Sequence, residues 1–276
     1  MMQTVILAPI HNSLYARLLT SALVEERGID VCAVVVRSHW NIQRIRSEFS
    51  RDGARLVKKF IDKYLLGDDR FSSGQAKNNL SVSAEKSGLS FPSLKDLTKA
   101  YQIPYFKVPD FNQAGCVRFI QNLSPQVILF TGGGLIRKEL LEVPETGVLN
   151  CHSGILPFYR GMDVVEWTAA EKNIVSMGFG ATLHFMDSGV DTGPILLTEK
   201  IELHSQDTFL TIREKLEVLM LKLMLRGVKG LRDGKISPKM QKKSAGRQYF
   251  VMHPRIKTYA EINLERATKR KSSGTG

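Results

Sequence analysis

Cysteine is scarce in this chain of 276 residues: Cys32, Cys116 and Cys151 are its three. An odd number of widely spaced thiols indicates neither a disulfide framework nor a zinc ribbon, and no metal is expected. Long hydrophobic runs are lacking too, since no stretch approaches the roughly 20 apolar residues of a membrane span. The opening "MMQTVILAPIHNS" has no basic flank, and its apolar run ends at His11 and Asn12, unlike a secretory signal. These absences predict a cytoplasmic protein without a membrane partner.

Acidic residues are also in short supply, 27 Asp and Glu against 39 Lys and Arg, for a net charge of +12. Much of the excess sits in 37–70, where Arg37, Arg44, Arg46, Arg51, Arg55, Lys58, Lys59, Lys63 and Arg70 face five acids. A positive field favours phosphorylated or nucleic-acid partners, but a solvated basic face has the same composition. The segment lacks an aromatic-basic signature, so a nucleic-acid partner is not expected. The tail "ERATKRKSSGTG" turns from basic to Ser/Gly-rich and reads as disordered over 266–276.

What is present is a rhythm of short apolar runs and helical periods. "TVILAPI", then "HNSLYARLLTSALVEERG" closed by Gly28, then "DVCAVVVR" reads as strand, helix and strand, a βαβ unit that implies a parallel sheet. Further strands are expected at "IPYFKVPD", "QVILF", "GVLNCHS", "MGFGATLHFM" and "GPILLTEKIEL". Helices fall at "PSLKDLTKAYQ", "NQAGCVRFIQNLSP", "LIRKELLEVP" and "GMDVVEWTAAEKN". From Ser205, a suitable N-cap, Phe209, Ile212, Leu216, Leu219, Leu223 and Met224 mark a long amphipathic helix whose methionines read as core. The expected fold is α/β: an open, mostly parallel Rossmann-like sheet with helices on both faces. Residues 38–92 interrupt it after the second strand as a basic insertion, with helical spacing from Asn41 to about Leu66 and a loop after it. The domain reading is a catalytic unit over 1–205, a helical extension over 206–265 packed on it, and the tail.

In such sheets ligands bind beyond the carboxyl ends of the strands, which directs attention to "ILAPIHNS", "ILFTGGGLI" and "VLNCHSG". Asn150 and His152, two apart on a strand, project to one side, with Cys151 facing the other. An amide and an imidazole together can donate to an oxygen that turns negative during attack on a carbonyl; the plainer alternative is that they satisfy local backbone. No G-x-S-x-G elbow supplies a covalent nucleophile. "HFMDSGVDTGPIL" places Asp187 and Asp191 in a Gly-containing loop, where a carboxylate near His152 would orient the ring and support its protonated form. An ordinary turn would have the same residues.

"NCHSGILPFYRG" followed by "GATLHFMDSGVDTGPIL" resembles the folate-dependent formyltransferases, the group acting on methionyl-tRNA, phosphoribosylglycinamide and nucleotide sugars. Over about residues 125–205 the chain carries their Asn-x-His, a Pro-containing turn and an Asp in a Gly loop; Gly154 after Ser153 is a mild departure. The resemblance implies Asn150, His152 and Asp191 as the catalytic triad and 10-formyltetrahydrofolate as formyl donor. A protonated His152 and Asn150 would stabilise the oxyanion, while Asp191 would hold His152 and relay protons. It further implies that the pterin lies against Gly134, Leu135 and Ile136 and the loop from Asp187 to Asp191. Glycines at a strand end let a flat ring approach the main chain; a P-loop would need a Gly-Lys-Ser/Thr ending.

The amine acceptor is harder to read. "APIHNSLY" lacks the Gly/Ser-rich phosphate loop of the phosphoribosylglycinamide enzymes, and about forty residues after the long helix are too few for the barrel of the methionyl-tRNA enzymes. The expectation is a small, anionic amine, an amino sugar on a nucleoside diphosphate, with Arg160 and Arg37 as contributors toward the diphosphate. "AGRQYFVMHPRIK" is expected to pack over the site. A hydrolase using water, a methionyl-tRNA-type enzyme and a homodimer stay open.

Overall fold

The computed structural model describes residues 1–38, 79–132, 134–242 and 244–273. The basic helices expected between Asn41 and Leu66 lie outside the described residues, as does most of the 38–92 insertion.

The chain runs through β1 (Met2–Ala8), α1 (Leu14–Val24) and β2 (Ile29–Arg37). After the gap come α2 (Asn79–Lys86), α3 (Leu94–Ala100), β3 (Tyr105–Val108), α4 (Ala114–Asn122), β4 (Val127–Phe130), α5 (Lys138–Leu141) and β5 (Gly147–His152). β6 (Tyr159–Gly161), α6 (Val164–Ala170), β7 (Gly180–Phe185), β8 (Ile195–Lys200), α7 (Phe209–Arg232), β9 (Arg247–Tyr249) and α8 (Pro254–Ser273) complete it. Among the described residues, seven strands form one sheet in the order β3-β2-β1-β4-β5-β7-β8. The first five in that order pair in parallel, whereas β7 and β8 are antiparallel. The order reverses direction at β1 and β4, the switch point where an open α/β sheet forms its crevice.

The strands read as unbroken apolar runs because both faces of the sheet are covered. Ile6, Ala8, Val34, Val36 and Leu129 pack in one layer with α1 and α7. Their neighbours Val5, Leu7, Ala33, Val35 and Ile128 pack in the opposite layer with Val117 and Ile120 of α4 and Leu140 of α5. In α7, Ile212, Leu216, Leu223 and Met224 form the buried stripe, and Met224 is fully buried.

Local chemistry corrects several expectations. The N-cap of α7 is Thr208 and not Ser205: the Thr208 hydroxyl accepts from Thr211 N at 3.3 Å while the Thr211 hydroxyl accepts from Thr208 N at 2.9 Å, a reciprocal capping box. Helix α2 stands where a loop was expected; Leu80 is its one buried residue, too little for a periodic signal. Helix α8 carries 266–273 as helix where a disordered tail was expected, and 274–276 lie outside the described residues. Its Ala260, Asn263, Leu264 and Thr268 are buried, with Asn263 Nδ2 donating to Ala169 O at 3.1 Å. Buried Glu166 accepts from Arg213 Nη2 at 2.5 Å and lies 3.8 Å from Lys257 Nζ, tying α6 to α7 and α8.

Candidate functional site

Asn150 and His152 end β5, and the antiparallel β7 places His184 directly opposite Asn150. Asn150 Nδ2 lies 3.2 Å from His184 Nε2. The other nitrogen of that ring, Nδ1, is 2.7 Å from Phe185 O, so it carries the proton and leaves Nε2 to accept from the Asn150 amide. An amide NH2 has two donors, and the second remains for a ligand.

Asp191 reaches this point from the loop between β7 and β8. Its Oδ2 lies 3.3 Å from His152 Nδ1 and its Oδ1 3.5 Å from His184 Nε2. Gly161 N, on β6, donates to Oδ2 at 2.8 Å. Asp191 has φ of 53°, the left-handed region that is costly for a residue with a Cβ. Burial alone would raise its carboxyl; the contacts with His184 and His152 and the Gly161 N–H outweigh it and hold the pKa down to about 2. Asp191 is therefore ionised at neutral pH.

His152 is 7% exposed. Burial pushes its pKa below the ordinary histidine value, against the opposing pull of Asp191 and of the Tyr159 carbonyl. His152 Nε2 lies 2.8 Å from Tyr159 O, which places a proton on Nε2, and its Nδ1 faces the Asp191 carboxylate at 3.3 Å, so both ring nitrogens meet acceptors, an arrangement suited to a ring that can carry two protons. Gly154 is required by the same turn: a Cβ there would come 2.6 Å from His152 Nε2 and 2.9 Å from Tyr159 O. Cys151 is buried on the opposite side, and burial drives its thiol far up, so it is no nucleophile.

The expected folate contacts occupy two loops. Gly134 has φ of 110°, and a Cβ on it would meet Arg37 Nη1 at 2.6 Å, which sets Arg37 against this loop. Leu135 is 76% exposed and Ile136 buried. Asn112 grips the same loop: its Nδ2 donates to Leu135 O at 2.9 Å and its Oδ1 accepts from Arg137 N at 2.7 Å. An exposed apolar side chain on a pinned glycine-containing loop suits a flat ring. Asp187 serves its own loop, accepting from Gly189 N at 3.0 Å and Thr192 Oγ1 at 2.6 Å.

Arg160, expected to face a diphosphate, is instead 6% exposed. Its guanidinium donates to Gln241 Oε1 at 3.2 and 3.4 Å. The segment expected over the site does pack there: β9 pairs with β6, and the Tyr159 and Tyr249 rings stack at 5.2 Å. Sequence reasoning missed His184, Asn112 and Gln241. Only His184 carried a signal, as an imidazole within an otherwise buried apolar strand. A cavity of about 410 Å³ opens at the ends of β4 and β5, bordered by Asn150 and Cys151 with Ser13, Tyr15 and Met220; neither His152 nor Asp191 lines it. A second cavity of about 480 Å³, between the start of α7 and α8, shares no lining residue with the site. Among the described residues, no group of three or more His, Cys, Asp or Glu side chains is placed to hold a metal ion.

An amide and an imidazole on one strand, backed by an ionised carboxylate, suit acyl-type transfer without a covalent enzyme intermediate. Residues 85–228 match the family model described as formyl transferase, which is more than half of the chain. The chain belongs to the formyl transferase family. It is 30% identical over 154 residues to a methionyl-tRNA formyltransferase of Thermodesulfovibrio yellowstonii, covering 55% of this chain and 49% of that one. With the corresponding enzyme of Clostridium tetani it shares 31% over 189 residues, 68% of this chain and 57% of that one. The chain thus spans about half the length of the curated relatives it matches. Among solved structures, a sugar N-formyltransferase from Shewanella superposes with a TM-score of 0.56 at 12% identity, covering 96% of this chain and 88% of that one. A phosphoribosylglycinamide formyltransferase from Anaplasma phagocytophilum gives 0.55 at 12%, covering 90% and 99%. At such identities these likenesses establish the fold. Among the described residues no helix is long and apolar enough to cross a membrane.

Proposed function

We propose that this protein transfers a formyl group from 10-formyltetrahydrofolate to the amine of a small acceptor, with Asn150, His152 and Asp191 as its catalytic residues. The observation that carries the reading is the convergence of Asp191 on His152 and His184 beside the Asn150 amide. The acceptor nitrogen attacks the formyl carbon, and the carbonyl oxygen gains negative charge. Asn150 gives it the N–H that His184 does not use. His152 gives its Nε2–H by exchanging the Tyr159 carbonyl for the substrate oxygen. The attacking nitrogen gives up a proton, which Asp191 relays through water to the departing folate nitrogen as the bond between that nitrogen and the formyl carbon breaks. The cleft at Gly134, Leu135 and Ile136, with the Asp187–Asp191 loop, would hold the pterin.

The acceptor we favour is an amino sugar on a nucleoside diphosphate. Fold likeness over nearly the whole chain to a sugar N-formyltransferase supports it, and so does the C-terminal segment, which folds back as β9 and α8. With Arg160 buried, any diphosphate contact falls to other cations. The names of the relatives at about 30% identity favour a second reading, with methionyl-tRNA as acceptor. Tetrahydrofolate release in the presence of nucleotide-linked amino sugars, then of methionyl-tRNA, separates the two; release with no amine present would indicate a hydrolase.

A further inference from the structure

The loop that carries Asp191 is held from a part of the chain beyond the family match, which ends at residue 228. Gln241 Nε2 donates to Asp191 O at 2.9 Å and to Gly193 O at 2.7 Å. Its Oε1 faces the buried Arg160, which donates at 3.2 and 3.4 Å and reaches Lys242 O at 3.5 Å. The amide therefore has one workable orientation, oxygen toward the guanidinium and nitrogen toward the two carbonyls. Two residues earlier, Lys239 forms an antiparallel bridge with Ile195, so the backbone of this segment is fixed at the start of β8.

These contacts bear on a strained residue. A non-glycine residue at φ of 53° lies in the left-handed region and persists where its surroundings hold it. At Asp191 the surroundings include, besides the two histidines, Gly161 N on the carboxylate and Gln241 on the carbonyl. The last two trace to successive residues of β6, since Arg160 orients Gln241 and Gly161 binds the carboxylate.

We propose that Gln241, oriented by Arg160, is a positioning residue: it clamps the Asp191 and Gly193 carbonyls and thereby fixes the turn that aims the Asp191 carboxylate at His152 and His184. The C-terminal segment is then a working part of the site. The role of the carboxylate rests on the function proposed above; the clamp itself does not.

The test uses Gln241→Glu and Gln241→Leu in the full chain. Gln241→Glu keeps size and the pairing with Arg160 but turns an oxygen on two carbonyls; Gln241→Leu removes the clamp. The first readout is the His152 titration by ring 15N NMR, which needs no substrate. The groups facing that ring are Asp191, His184 and the Tyr159 carbonyl. Withdrawal of the Asp191 charge is expected to lower the midpoint by about one pH unit in either variant, and no further when Asp191→Asn is added. The second readout is turnover of 10-formyltetrahydrofolate, expected to fall at least about tenfold, and again with no added loss in the Asp191→Asn background. A wild-type His152 midpoint in a folded Gln241→Glu protein overturns the proposal, as does a turnover loss that adds in full to that of Asp191→Asn. If the wild-type protein turns over no 10-formyltetrahydrofolate, the proposed function falls and the titration alone decides the role of Gln241.

Discussion

Asn150 Nδ2 and His184 Nε2 meet at 3.2 Å across the β5–β7 pairing, with Asp191 Oδ1 3.5 Å from the same ring nitrogen. The amide that would face the substrate oxygen is thus oriented by a histidine fixed through Phe185 O. Replacing His184 by Ala frees the amide to rotate. Turnover of 10-formyltetrahydrofolate should fall by about a hundredfold, with the folate dissociation constant altered little. Equal losses in binding and turnover would place His184 in the donor pocket instead.

Acid should destabilise this protein through the same cluster. The folded Asp191 carboxyl is held below its ordinary value of 3.8, at about 2, so its contribution is complete above the ordinary value and lost as pH falls through the folded one. His152, with a folded value below 6.5, binds its proton more weakly folded than unfolded, so acidification through the histidine range also favours unfolding. Urea titrations at a series of pH values should show wild type losing about 2 kcal/mol between pH 4 and pH 2 that Asp191→Asn does not lose. Parallel pH profiles for the two proteins would contradict this.

Cys151 sits between two site residues and is 4% exposed, with its thiol pushed far up by burial. Iodoacetamide at neutral pH should leave it unmodified in the folded protein and label it in urea. Rapid labelling of Cys151 in the native state, read by peptide mass, would refute the assigned burial.

Met224 on α7 is fully buried in the layer that also holds Leu183 of β7 and Leu149 of β5. Met224→Ala should cost about 2–5 kcal/mol of unfolding free energy. Because its effect is on packing, residual activity per folded molecule should match the wild type. A loss of activity without a loss of stability would mean that α7 shapes the site directly.

The central strands were legible because a sheet covered on both faces demands runs such as "AVVV" and "VILF" with no polar interruption. Asn150, His152 and Asp191 stood out as polar residues at a strand end and in a glycine loop; their grouping as a triad came from the family resemblance. What escaped had no local signature. β6 and β9 are three residues each, too short for any period to appear. Helix α8 buries few residues along a charged sequence, so its composition imitates a disordered tail. Gln241 lies 50 positions from Asp191, and its contact follows from the return of the chain across β6. Arg160 looked like an anion ligand because sequence gives charge without burial.

The central claim is amine-dependent formyl transfer at the Asn150–His152–Asp191 site. It is tested most directly by following tetrahydrofolate release from 10-formyltetrahydrofolate with and without nucleotide-linked amino sugars, in wild type and Asn150→Ala. The account predicts release by the wild type only when the amine is present, and a loss of on the order of a hundredfold or more in Asn150→Ala. Release that is independent of amine, or undiminished in Asn150→Ala, would contradict it.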